Sequence, residues 1–434
     1  MAHPAPPSDA RTLRRVVVAS CSGTAIEWYD FFIFGTLAAT LSEHFYAPGH
    51  PLNALLQALA TFAVGFAVRP FGALVFGHFG DRFGRKATFL TTLLIMGGAT
   101  AAIGILPGYA TIGSAAPIIL VGLRMLQGLA IGGEYGGAAV YVAEHASREK
   151  RGYYTSFIYT TGTIGLLISL LVVSGVRAFL GEEAFRQWGW RIPFLASLVL
   201  VALSYYIRAK LHESPVFSEM KAGNRQSASP VRESFAGDGG WRTIAATLFG
   251  LLAGHAVVWY TGQFYALFFL QTILKVPLAS AYTVVIAALV LGAPFFVFFG
   301  WLSDRVGRKP ILMSGLILAS VSYYPLYKWM TAAADPFQPV TITFIVLLQV
   351  IFAAMVTGPL GAFLVDSFPP KVRYTSVSFV HHAGTGWFGG SLPLIATAVV
   401  AKTGNIYAGL IYPIVVAFAA FLIGMIFVKE RREE

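Results

Sequence analysis

Gly77-His78-Phe79-Gly80-Asp81-Arg82-Phe83-Gly84-Arg85-Lys86 and Gly300-Trp301-Leu302-Ser303-Asp304-Arg305-Val306-Gly307-Arg308-Lys309 are two copies of one pattern, G-x-x-x-D-R-x-G-R-K. Asp81 and Asp304 lie 223 residues apart. A second echo falls at an offset of 222: Glu144 to Arg151 corresponds to Asp366 to Arg373, and Gln127 to Gln349. Two independent echoes at nearly one offset mark an internal duplication. A merely basic turn would explain the charge of each copy but not this spacing. In a tight turn, Gly77 and Gly84 permit close helix approach and unusual backbone angles. The aspartates can face the positive end of a neighbouring helix. Arg82, Arg85, Arg151, Arg305, Arg308 and Arg373 can pair with carboxylates such as Glu144 and Asp366. These residues are expected to form a gate that ion pairs hold shut.

The chain around the two loops is built for lipid. It has 434 residues, 56% of them hydrophobic and 12% charged, and a mean hydropathy of +0.68. A soluble domain carries about 25% charged residues. The net charge of +11 is scattered between apolar stretches, which speaks against a nucleic-acid surface and for membrane topology signals. One cysteine, Cys21, excludes a disulfide framework and a cysteine metal site. No metal-ligand spacing, Ser-His-Asp arrangement or phosphate loop is present, so neither an enzyme nor a cofactor is expected. Gly132-Gly133-Glu134-Tyr135-Gly136-Gly137 is glycine-rich but lies inside a span, where it suits close helix packing.

A membrane helix needs roughly 20 mostly apolar residues. That length fits spans near 15–42, 52–77, 87–107, 116–143, 153–180 and 190–209, then 243–271, 278–302, 310–331, 339–365, 374–401 and 405–428. The expected organisation is a tail (1–15), a six-helix bundle (16–209), a polar linker (210–242), a second six-helix bundle (243–428) and a second tail (429–434). Met1 to Arg15 is Pro-rich and basic and shows no cleavage pattern, so the first span reads as a retained helix. With both termini cytoplasmic, 23 of the 31 Lys and Arg residues fall on the cytoplasmic side, Arg208 among them, and six on the other. That bias sets the orientation. The fold class is therefore all-α, with twelve transmembrane helices in two pseudo-symmetric bundles.

Ionisable groups at membrane depth mark function by default. The first half holds five: Glu27, Asp30, Arg69, Arg124 and Glu134. At 1.5 Å per residue, Glu27, Arg69 and Glu134 sit roughly 15–18 Å into their spans, near midplane. Three carboxylates against two guanidiniums leave one negative charge uncompensated, so one carboxylate is expected to hold a proton. Asp30, Glu134 and Glu27 are the expected proton carriers. The second half has neutral residues at the equivalent places, Val346 and Val356 for Arg124 and Glu134. The expected substrate contacts are Arg69, Arg124, Tyr29 and Gln127 in the first half. In the second they are His255, Trp259, Tyr260, Gln263, Tyr265, Gln349 and one of His381 and His382, which point to different helix faces. A net negative pocket would favour a mono-acid or zwitterion over a polyanion.

The paired loops resemble those of the major facilitator superfamily. Three stretches narrow the resemblance: Gly23-Thr-Ala-Ile-Glu-Trp-Tyr-Asp-Phe-Phe32, Arg124-Met-Leu-Gln-Gly-Leu-Ala-Ile-Gly-Gly-Glu-Tyr-Gly-Gly137 and Leu211-His-Glu-Ser-Pro-Val-Phe217. Together they are similar to the metabolite:H⁺ symporters, whose members carry proline or betaine, 2-oxoglutarate, citrate or shikimate. The resemblance implies a bacterial inner membrane, protons and a small metabolite as partners, and a chain that acts alone. The rival readings are a proton-independent facilitator or exporter, and a membrane sensor on the same scaffold.

Overall fold

The computed structural model describes residues 10–83, 85–209, 222–223, 227, 229–236 and 240–430, without the side chains of Ala10, residues 81–83, 85–86 and Tyr135. Gly84, the side chains of Asp81, Arg82 and Arg85 of the first loop, and most of the linker 210–242, therefore lie outside what is described.

Eleven helices among the described residues are long and apolar enough to cross a membrane. In chain order they are α2 (Pro51–Gly80), α3 (Ala87–Ile105), α4 (Ala115–His145), α5 (Arg148–Leu180), α6 (Arg191–Ala209), α7 (Gly240–Ile273), α8 (Leu278–Val306), α9 (Arg308–Ala332), α10 (Pro339–Ser367), α11 (Arg373–Thr403) and α12 (Ala408–Phe427). The twelfth is α1 (Ala10–Thr36), whose apolar character is diluted by Arg11, Arg14, Arg15, Glu27 and Asp30. α1 begins inside the segment expected to be a tail. Basic residues on its first turns can reach the headgroup layer without ending the helix.

The odd–even alternation of spans puts both described chain ends on one side of the bundle, called here the terminal face. The opposite side is the far face. Two seams join the halves: α5 packs on α8 and α10, and α2 and α4 pack on α11. Glycine makes both seams tight. A Cβ on Gly152 of α5 would meet the Gly300 carbonyl of α8 at 2.5 Å, and one on Gly137 of α4 would overlap the Tyr374 ring of α11. Several spans are interrupted near their middles. α4 breaks at Gly133–Glu134, which do not continue its helix, and α10 breaks at Gly358–Pro359. α7 and α11 widen to π-helical turns at Tyr260–Tyr265 and Gly384–Gly389. Such irregular backbone is tolerated at membrane depth where it faces protein or a cavity.

Candidate functional site

α1 carries Glu27 and Asp30 three residues apart, so both project from one helix face. Glu27 is buried against Arg208, whose Nη1 donates to its Oε1 at 2.8 Å and also pairs with Glu134 at the break of α4. Arg208 corrects the sequence reading, which counted it among the cytoplasmic charges. It is 4% exposed, in the last turn of α6. Gly23 on α1 makes the room, because a Cβ there would overlap the guanidinium. On α3 the Phe89 ring centroid lies 5.8 Å from that guanidinium, and the Thr92 hydroxyl donates to Glu134 at 3.4 Å. With Arg208 inside, three carboxylates meet three guanidiniums. The expected net negative pocket is absent, and charge balance no longer disfavours a polyanion.

Asp30 is fully buried, and neither carboxyl oxygen has a hydrogen-bond partner among the described residues. The Ser197 hydroxyl of α6 lies beside it. Tyr29, next in the chain, is buried and tied to α6 through a 2.7 Å hydrogen bond to the Pro193 carbonyl. It braces α1 instead of facing substrate.

The two guanidiniums expected within the first half are held chiefly by rings. Arg69 lies 3.8 Å from the Phe66 centroid, 3.9 Å from Phe31 and 5.0 Å from Trp28. Arg124 lies 4.0 Å from Phe31 and 4.5 Å from Phe34. Its Nη1 donates to Gln127 at 2.7 Å, and Gln127 donates to the Thr100 hydroxyl at 2.7 Å. Cation–π contact stabilises such a charge most where water is excluded. Arg124 and Gln127 thus form a structural pair outside the central cavity, whereas Arg69 sits behind Trp28, a cavity wall.

That cavity lies between the halves and measures only about 20 Å³. Trp28, Tyr159 and Gly162 line it from the first half; His255, Trp259, Tyr260, Thr357, His381 and Thr385 line it from the second. The volume suits about one water, so the centre is closed around itself. Of the expected contacts, His255, Trp259, Tyr260 and His381 are present. The ring centroids of His255 and His381 are 6.2 Å apart. His382 does not line the cavity, as its helix face requires. Gln263 accepts from Thr163 at 3.0 Å, joining α7 to α5. Tyr265 stacks on Tyr327 within the second half, and Gln349 donates along its own helix to Ile345. Neither of these two reaches the cavity. Tyr159, Thr357 and Thr385 escaped sequence reading, because a neutral residue in a span carries no sign of its task.

The residues of the second loop copy lie at a closed contact between the halves. Asp304 accepts from the amides of Gly152 and Tyr153, both at 2.8 Å, so it caps the N-terminus of α5 across the seam. Asp366 of α10 accepts from Arg151 of α5 at 2.7 Å and also pairs with Arg308. Tyr374 of α11 donates to the Gly133 carbonyl freed at the break of α4. Gly77 of α2 approaches Thr375 on the same seam. Arg305 instead lies on the Trp301 ring at 3.7 Å, and Arg373 donates to the nearby Phe368 carbonyl at 3.1 Å. The last span is stitched to the same loop. Lys309 donates to the Met425 and Val428 carbonyls at 2.9 and 2.7 Å, and Glu430 accepts from the Arg308 amide at 2.8 Å.

The far face is closed by rings. Phe62 of α2 stacks on Phe264 of α7 at 5.4 Å, and Phe32 of α1 stacks on Trp259 at 5.4 Å. Phe66 meets Tyr260 edge-on at 5.4 Å. One polar bond joins the halves further out, from the Tyr282 hydroxyl to the Thr36 carbonyl at 3.1 Å. Twelve spans in two seamed halves, closed at each face around a central cavity, fit what comparison with known proteins finds. The description "Sugar (and other) transporter" matches residues 16–240, and "Major Facilitator Superfamily" matches 247–434. The chain belongs to the major facilitator superfamily.

It is 36% identical to the inner membrane metabolite transport protein YhjE of Escherichia coli (strain K12), covering 86% of this chain and 84% of that one. It is 33% identical to a citrate-proton symporter of Salmonella typhi, covering 93% of this chain and 92% of that one. A solved proton:xylose symporter, XylE, bound to 6-bromo-6-deoxy-D-glucose, superposes with a TM-score of 0.75 at 16% identity over 98% of this chain and 97% of that one. This superfamily member is a membrane transporter and not an enzyme.

Proposed function

We propose that this transporter couples inward movement of protons to uptake of a small polar metabolite, an organic acid or a zwitterion, by alternating access. Asp30 carries the reading. A fully buried carboxyl without a cationic partner is stable as the neutral acid and costly as the anion. It stands one turn from the Glu27–Arg208–Glu134 cluster and two residues from Trp28 of the cavity wall. A group that must take a proton to rest, and must lose it when the path opens, meets the requirement for coupling.

The substrate would occupy the cavity when it widens, between His255, His381, Trp259 and Tyr260, with Arg69 supplying positive charge from behind Trp28. The Lys and Arg bias supports a cytoplasmic terminal face, and the relatives' names support the inner membrane and an organic acid. Cavity and gates are complete within one chain, which supports a monomer as the working unit. The halves 16–209 and 243–428 would rock about the linker 210–242.

A thermal-shift screen of organic acids, amino acids and betaines at two pH values should supply the ligand. Uptake of that ligand into proteoliposomes, with and without a pH gradient, then decides. Accumulation that needs the gradient and is lost in Asp30→Asn is expected. Equal uptake without a gradient would mean a facilitator and overturn the symport reading.

A further inference from the structure

Arg208 joins three helices at one atom. Its Nη1 holds Glu27 of α1 and Glu134 of α4, while its own backbone closes α6, two residues before the linker. Two carboxylates on one guanidinium nitrogen are an excess of acid in a water-excluded site. Such a pair is satisfied when one proton is shared between the two carboxyls. The groups that face the pair are Arg208 from α6, Asp30 from α1, and the neutral Thr92 hydroxyl and Phe89 ring from α3.

We infer that Arg208 is a movable counter-ion, a positioning residue that sets when the Glu27–Glu134 pair takes up and releases its proton. Glu134 follows Gly133, whose carbonyl is held across the seam by Tyr374. Opening the terminal face breaks that bond and frees the segment that carries Glu134. Arg208 can then leave its slot over Gly23 only by movement of the α6 end. With the guanidinium withdrawn, the pair needs a second proton from water to stay neutral. When it returns, one carboxyl ionises and that proton leaves. The gate and the proton thereby move together.

This inference rests on the symport reading, but the two can fail separately. The test needs no substrate. Opening of the terminal face is followed by double electron–electron resonance between spin labels on the start of α5 and the end of α8, across pH, in the Asp30→Asn background, which removes the nearest other carboxyl of α1. The expected result is an opening that grows as pH falls and whose pH dependence is lost in Arg208→Gln, because without the guanidinium the pair holds two protons in both states. Arg208→Lys should restore part of the pH dependence. Gly23→Ala, which keeps every charge but displaces the guanidinium, should weaken the pH dependence likewise, and it decides the matter if Arg208→Gln does not fold. An opening that is already pH-independent with Arg208 and Gly23 intact, or a pH dependence unchanged by Gly23→Ala and Arg208→Gln, overturns the inference. Gradient-independent uptake overturns the symport reading instead.

Discussion

At the terminal face the halves meet through Asp304 on two amides of α5 and Asp366 between Arg151 and Arg308. At the far face they meet through Phe62 on Phe264 and Phe32 on Trp259. The first closure is directional and made of a few charge-assisted bonds, so it is either formed or broken. The second spreads over many ring contacts and yields gradually. The difference teaches how one molecule can hold two doors. A polar solute arriving at the far face can part rings without having to replace ionic bonds. The terminal face opens only when several charges let go at once.

The largest effect is expected at the ring plug. Phe264→Ala removes the partner of Phe62 and Phe32 and should destabilise far-face closure by about 3 kcal/mol, the scale of a buried Phe→Ala change. Spin-label distances between the far ends of α1 and α7 should lengthen. An unchanged distance distribution would show that Phe264 does not hold the plug. Asp366→Asn should favour opening of the terminal face by roughly 1–2 kcal/mol, a figure reduced because Asp366 is partly exposed. Accessibility of a cysteine introduced beside Arg151 would measure it, and protection equal to the parent would remove Asp366 from the latch. Tyr282→Phe loses a single bond to Thr36, worth about 1 kcal/mol. Its far-face distances should shift less than those of Phe264→Ala, and a larger shift would reverse the assignment of the two. The smallest effect is that of salt. Raising ionic strength should loosen the terminal face slightly and leave the far face alone, because screening acts on exposed charge and not on stacked rings. Equal responses at both faces would erase the contrast.

The twelve spans and the paired loops were legible because each carries a strong one-dimensional signal, a long apolar run or a repeated spacing. The Asp304 contact to a helix start was legible for the same reason. Arg208 was not. It stands beside Lys210 at a span end, where a count along the chain assigns it to water. Only the hole left by Gly23, contributed by another helix, turns it inward. The cavity walls were half legible. His255 and His381 stand out as polar groups at membrane depth, whereas Tyr159 and Thr385 resemble ordinary span residues until α5 and α11 are brought together.

The stitching of α12 to the second loop has a practical consequence. Lys309 and Glu430 tie the end of the last helix to Arg308, which is itself a partner of Asp366. A fluorophore on the chain just beyond Glu430 would therefore be a reporter of the gate, readable from outside the bilayer in an otherwise unaltered transporter.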